Sequence, residues 1–393
     1  MTRLPERIDN PGAERYSSAL RLGELIKDEM KNNPSFYLFS PDETTSNKLD
    51  AAYESTSRAW AMPREPWDMP ESSNGRIVEL LSENTLFAVM VGHVLGSHEQ
   101  AMMTSYESFF SIITSQVMQH LKFLKQSESV SWREPVPAIN LLSTSTCWRQ
   151  DHNGFSHQSP ALISALLSNP SGYANCLFPV DDVAAAAAFQ FMKDSKNVVN
   201  LTTFNKTEEP RWIDINHAKF QYQYGASIFG FASDENPDYV FVAAGDIVSR
   251  ETLYAIQILR QDMPELRYRF VGISALSYDA IGTVDRRMPQ EIFNDYFTTD
   301  KTIIANFHGY SDTLKNILAC YAPNWRLSVH GFMEEGSTTT PFEMLSVNQA
   351  SRYHLCIDVA EREGRMDLVE KYRGILESNA KHAREFGIDE IQL

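Results

Sequence analysis

The sequence predicts an α/β protein built from two doubly wound, mostly parallel sheet domains, and three observations carry that expectation. Short apolar runs of strand length alternate with stretches of helical periodicity along most of the 393 residues, the pattern of parallel sheets covered on both faces. The alternation falls into two series, separated by a polar stretch at 206–236. With 43% hydrophobic and 22% charged residues, the composition is that of a globular chain long enough for two cores.

The first series follows a polar tail, 1–14, and fills an expected domain over 15–205. Leu20, Leu22, Leu25, Ile26 and Met30 recur at helical spacing within 15–31. FYLFS (36–40) reads as a strand and 48–59 as a helix. Residues 60–75 hold three prolines and read as a long loop. RIVELL (76–81) follows as a strand, 84–96 as a helix, and 106–125 as a long amphipathic helix. INLLST (139–144) and CLFPV (176–180) read as buried strands around a helix near 160–168. The alanine-rich run 184–192 is a helix on propensity, and 198–204 a strand. The second series, expected over 237–393, has strands at 239–245, 267–274, 302–307 and 326–331, with helices at 250–261, 341–351 and 365–386.

A net charge of −16 disfavours nucleic acid and anionic membrane as partners. Any phosphate-bearing ligand then needs local basic residues working against the overall field. The four cysteines, Cys147, Cys176, Cys320 and Cys356, have no paired spacing and read as free thiols in a reducing compartment. The first residues lack the apolar core of a secretory signal, and no uncharged apolar run reaches 18 residues. A cytoplasmic location without a membrane span is expected.

Walker, GxGxxG, HExxH, CxxC and GxSxG patterns are missing. Cys147, His152 and His157 are zinc-ligand types, but a spacing of five does not stack two imidazoles on one helix face, so no metal site is expected here. The densest polar cluster is TCWRQDHNGFSHQSP, 146–160, with Arg149, Asp151, His152 and His157 around an Asn153–Gly154 turn. It follows a buried strand, where doubly wound folds bind ligands. Its alternative is a hydrogen-bonded structural loop. Glu83, between an apolar strand and a helix, is by position alone a helix-start residue favoured by the macrodipole. The hydroxyls of GSTTTPF (336–342) read as an N-cap with Pro341 at the first helical position.

Taken together, SPDETTSN (40–47), GRIVELLSE (75–83), SYESF (105–109), WRQDHNGFSHQ (148–158), AAGDI (243–247), HGY (308–310) and HGFMEEGSTTTPFEM (330–344) resemble the phosphoketolase family of thiamine-diphosphate enzymes. The runs cover roughly 36–355, in the family's order, and correspond to the rear portion of its architecture. The resemblance implies a pyrimidine-binding domain followed by a C-terminal domain. The family's front domain would hold the cofactor diphosphate and Mg²⁺, so the expected partner is a separate subunit carrying that part, with thiamine diphosphate shared between the two and Mg²⁺ on the partner.

The resemblance also implies roles. Glu83 matches the glutamate that hydrogen-bonds the aminopyrimidine, a task suited to a partly desolvated carboxyl with raised pKa. Tyr106 matches the aromatic residue placed against that ring. His157 resembles the acid/base histidine near the substrate hydroxyls, with His152 and Asn153 beside it. Gln150 and Asp151 would line the sugar path, and Ser46 would contact substrate phosphate. Lys48 stands where the family has an arginine, which keeps charge but loses the bidentate fork. Lys206 is the counterpart of the family's GKQ lysine. The family's GRHG is Gly96-Ser97-His98-Glu99 here, and HQDPG is HQSPA. The implied activity is cleavage of a ketose phosphate with formation of acetyl phosphate. The altered cationic positions support a transketolase-like two-carbon transferase as the alternative, and a non-catalytic partner subunit is a third reading.

Overall fold

The strands of highest burial organise two separate sheets. The computed structural model describes residues 4–68 and 71–391, so part of the expected tail (1–3) and of the proline-rich loop (69–70) lies outside the described residues. The chain divides into two units. One runs up to Ser145 and resumes over Asn169–Lys219; the other comprises Thr146–Ser168 and everything from Phe220 onward.

In the first unit, six strands run in the spatial order Ala174–Leu177, Val199–Thr203, Ile139–Thr144, Gln100–Tyr106, Phe36–Ser40 and Ile77–Glu79. All their pairings are parallel. Polar side chains help set the register of this buried sheet. Asn175 and Asn140 both pair in register with Asn200. Asn175 Nδ2 donates to Asn200 Oδ1 at 2.9 Å, and Asn200 Nδ2 to Asn140 Oδ1 at 2.8 Å. A one-residue slip would leave these buried amides without partners, a cost far above that of an apolar mismatch.

The alanine-rich helix, Asp182–Asp194, packs against Ser18–Asn32 because methyl side chains allow close approach. Asp181 caps it, accepting from Val183 N–H and Ala184 N–H, while its other oxygen accepts Trp212 N–H at 2.7 Å. Asp182 is paired by Arg21 and Arg211.

The second unit is a five-stranded sheet in the order Ala226–Ile228, Tyr268–Ile273, Tyr239–Ala244, Thr302–Tyr310 and Leu327–Phe332, parallel except for the first strand. The helix Asp246–Asp262 crosses between parallel strands, and Arg352–Arg362 and Met366–Phe386 form a helical pair at the end of the chain. Glu251 is buried under this pair, accepting Arg352 Nη2 at 2.7 Å and Nε at 2.8 Å. The excursion Thr146–Ser168 is anchored by Trp148, whose indole N–H donates to the His308 carbonyl at 2.9 Å and whose ring meets Phe332 edge-on.

Several elements differ from expectation. Gln100–Tyr106 is a central strand where no element is expected before 106, and the helix expected at 106–125 starts later: helical structure proper begins at Thr114, after a 3₁₀ segment over Glu107–Ile113. The expected helix at 48–59 is a 3₁₀ turn, Asp50–Glu54, followed by the short strand Arg58–Ala59, which lies between Ile77–Glu79 and Glu71–Ser72. Ala275–Ser277 and Ala280–Thr283 form an antiparallel hairpin, and the expected helix at 341–351 ends at Val347 before a new one begins at Arg352. Residues 206–236 carry short elements of their own, including the helix Ile215–Phe220. Among the described residues, no helix is long and apolar enough to cross a membrane.

Candidate active site

In the first unit the polar cluster sits at the carboxyl ends of the parallel strands, where backbone amides and loop side chains converge. Phe36–Ser40 leads into Pro41–Lys48, and Glu43 in that loop accepts the Tyr106 backbone N–H at 3.1 Å, at the end of the neighbouring strand. The loop is fastened from below. Thr44 donates to Glu79 at 2.7 Å, and buried Asn47 accepts from Thr144 and lies 3.5 Å from Thr104 Oγ1. Burial pushes the Glu43 carboxyl up to about 7, and the charge of Glu83 adds to that shift; the Tyr106 N–H, Asn47 and Lys206 act in the opposite direction. A carboxyl raised to about 7 by desolvation is in part protonated at neutral pH.

Glu83 is the first residue of the helix Glu83–Ser97, which Ser82 caps, and its Oε1 lies 3.5 Å from Ser105 Oγ. The helix-start reading of Glu83 is the one its position bears out. The Lys206 ammonium lies 4.6 Å from the Tyr106 ring centroid, and Phe109 stacks on the same tyrosine. Burial lowers the Lys206 pKa, Glu43 raises it, and the nearby Lys48 charge lowers it further. Ser46 is exposed and turns its hydroxyl to the Glu43 carbonyl at 3.2 Å. The structure thus gathers Glu83, Tyr106 and Lys206 around Glu43, with Lys48 close enough to act on Lys206.

The remaining candidates lie together in the second unit, on the excursion Thr146–Ser168. Gln150 is buried, and its Oε1 accepts Asn153 Nδ2 at 2.8 Å. Asp151 is half-buried, and its carbonyl accepts the Thr339 N–H at 3.1 Å. His152 is exposed; His157 is half-buried, with Nδ1 2.9 Å from Ser156 Oγ. Two imidazoles are thereby presented on a loop whose base is buried. Thr340 stands at the N-cap of Pro341–Val347 with proline at the first position, but its hydroxyl makes no cap bond: it donates to Asp389, which also accepts the Phe342 N–H at 2.7 Å.

Comparison with known proteins shows the family of the chain. Residues 20–193 match the family model for D-xylulose 5-phosphate/D-fructose 6-phosphate phosphoketolase, and 206–392 match that family's C-terminal domain. The chain belongs to the phosphoketolase family. A probable phosphoketolase of Pseudomonas putida is 36% identical over 366 residues, covering 91% of this chain and 46% of that protein. One of Thermosynechococcus vestitus is 34% identical over 401 residues, 97% and 48% of the two chains. The chain therefore spans about half the length of the curated relatives it matches.

Solved structures show the same fold. Transketolase from Leishmania mexicana aligns with a TM-score of 0.66 at 13% identity, over 94% of this chain and 47% of that one. A chain titled split gene transketolase, inactive beta4 tetramer, aligns with a TM-score of 0.60 at 13% identity, over 88% of this chain and 97% of that one. The fold is of the α/β kind that the alternation of strands and helices predicts, and its transketolase-like form and the family are those that the motif resemblance implies.

Sequence reasoning passed over three residues of these clusters. Glu43 and Asn47 lie within SPDETTSN, directly after a strand; that position was the available signal. Gln158, buried beneath the histidine loop, gave none, because one of its two partners, the Ser337 carbonyl, is 179 residues away.

Proposed function

We propose that this phosphoketolase-family chain is the pyrimidine-side subunit of a bipartite, thiamine-diphosphate-dependent enzyme that cleaves a ketose phosphate and forms acetyl phosphate in the cytoplasm. The observation that carries the reading is Glu43, held at about 7 beside Glu83 and the Tyr106 strand end. These residues fit the pyrimidine half of the cofactor: an aromatic side chain, a carboxylate at a helix start, and a second carboxyl that desolvation keeps in part protonated at neutral pH. When bound, thiamine diphosphate supplies a carbon nucleophile and an electron sink for breaking a carbon–carbon bond.

In this reading Glu83 hydrogen-bonds the aminopyrimidine, and Glu43, raised by desolvation, stands near it as a proton store. Tyr106 bears on the ring. Lys206, Lys48 and Ser46 answer the substrate phosphate, concentrating positive charge that the net −16 of the chain denies elsewhere. His157, with His152, moves protons at the sugar hydroxyls, and Gln150, Asp151 and Asn153 line the sugar path.

The contacts to diphosphate and Mg²⁺ are assigned to a separate subunit. The split-gene transketolase chain supports this, since this chain covers 97% of it. Lys48 in place of arginine, with Ser97 and Glu99 in the GSHE segment, favours a transketolase-like transferase with another acceptor as the second reading. Calorimetry on the pure chain should show weak thiamine diphosphate binding or none with Mg²⁺ present. Tight Mg²⁺-dependent binding by the chain alone would overturn the separate subunit. In the assembled enzyme, a phosphate-dependent release of acetyl phosphate from a ketose phosphate separates the first reading from the second.

A further inference from the structure

The most specific motif left without a role is GSTTTPF, and its contacts within the second unit suggest one. We propose that the buried Gln158 amide is a positioning residue that holds the Asp151–His157 loop against the Ser337–Thr339 backbone, and that the threonine tract serves as the backstop of the two histidines. The inference rests on the reading of that loop as catalytic.

Gln158 is 3% exposed. Its Nε2 lies 3.1 Å from the Gln150 carbonyl and 2.9 Å from the Ser337 carbonyl. Both neighbours are acceptors only, so the group facing them must be the NH₂, and its two protons serve two different segments. A second bond runs the opposite way, from the Thr339 N–H to the Asp151 carbonyl at 3.1 Å. The Gln150 carbonyl also accepts the Gly154 N–H at 3.1 Å. One side chain therefore ties the start of the loop, its turn and the threonine tract at a single node.

Shape supports the same conclusion. Gly154 is buried with φ +72°, and a Cβ built there would lie 3.0 Å from Thr338 Oγ1. The backbone of the turn thus rests on the tract with no room for a methyl group, in a conformation that already favours glycine. The tract in turn is fastened at both flanks. The Asn348 side chain donates to the Glu335 carbonyl and accepts the Met333 N–H, each at 2.8 Å, and Asp389 holds Thr340 and Phe342. A loop clamped to a support that is itself held presents its outer residues, exposed His152 and half-buried His157, in one arrangement. Proton transfer needs such placement, since a shift of about 1 Å can cost about 100-fold in rate.

The test uses the full chain, because the loop can be observed without turnover. Gln158→Met keeps the length and removes both donors; Gly154→Ala strikes the same contact from the other side. Each variant should keep the fold by circular dichroism. Hydrogen exchange at the Thr339 amide should speed up by about 10-fold or more, and the ring NMR signals of His152 and His157 should shift or broaden. In the assembled enzyme, kcat should fall by about 10- to 100-fold with KM for the ketose phosphate changed less than about 3-fold. Parental exchange at Thr339 and unmoved imidazole signals in both variants would overturn the proposal, as would an equal loss in kcat and affinity. His157→Asn, assayed in parallel, separates it from the functional reading. Near-parental turnover there would remove the loop from the chemistry, whatever Gln158 does.

Discussion

Glu251 in the second unit and Glu43 in the first are both glutamates drawn away from bulk water, and they have been given opposite company. Burial pushes the Glu251 carboxyl up, but Arg352 and Arg250 outweigh it and hold the group below its ordinary range. The Arg352 guanidinium meets it through two nitrogens and the Arg352 backbone N–H through a third, so the carboxylate is fully occupied. Around Glu43 the company is a second carboxyl, one backbone N–H, an amide and a lysine whose own charge burial weakens. A buried acid neutralised by arginine is committed to structure. Half-buried Glu43, with no arginine to offset its desolvation, is held near 7 instead.

The contrast can be broken by experiment, and the largest effect belongs to the structural acid. Glu251→Leu would take from Arg352 the buried carboxylate that it meets through two guanidinium nitrogens and its backbone N–H, a loss of about 3–5 kcal/mol of stability. Urea denaturation at pH 7 measures it, and a loss below about 1 kcal/mol would show that Glu251 is no keystone. Next comes Glu83→Gln, near-isosteric and at a helix start. It should slow turnover in the assembled enzyme by about 100-fold or more, with the stability of the chain changed by less than about 0.5 kcal/mol. Unchanged turnover would reduce Glu83 to its helix-start role.

The smallest effect has the most telling sign. Because the folded Glu43 carboxyl is raised above its unfolded value, the native state binds more protons between about pH 4.5 and 7, and stability falls as pH rises through that window. Glu43→Gln removes the fall. The variant should match the parent below about pH 4.5 and exceed it by about 1–2 kcal/mol at pH 8, after allowance for partial exposure. Denaturation at pH 4.5 and pH 8 checks it. A variant less stable than the parent at pH 8 would mean that the charged form of Glu43 is the one the fold holds.

Much of this architecture was legible in the sequence, for local reasons. Strands such as INLLST and YVFVAA are buried on both faces and read as unbroken apolar runs. The failures share a cause. Gln100–Tyr106 carries two methionines and no β-branched residue before Thr104, so propensity hides a strand that burial alone enforces. The hairpin at 275–283 is too short for a period to show. At the site, Glu83, Tyr106 and His157 came from motifs, whereas the proton-holding character of Glu43 arises from desolvation, which no sequence displays.

The interleaving of the chain has a consequence for anyone recombining relatives of this protein. The family models part between 193 and 206, an inviting place to join the front of one homologue to the rear of another. Yet Thr146–Ser168 belongs with the later unit. A chimera joined there would inherit its histidine loop from one parent and the threonine tract beneath it from the other. The bonds from Gln158 to Ser337 and from Thr339 to Asp151 would then cross between two lineages. Exchanges that respect this weave need three joints, near 145, 169 and 219, so that the loop and its support travel as one inherited piece.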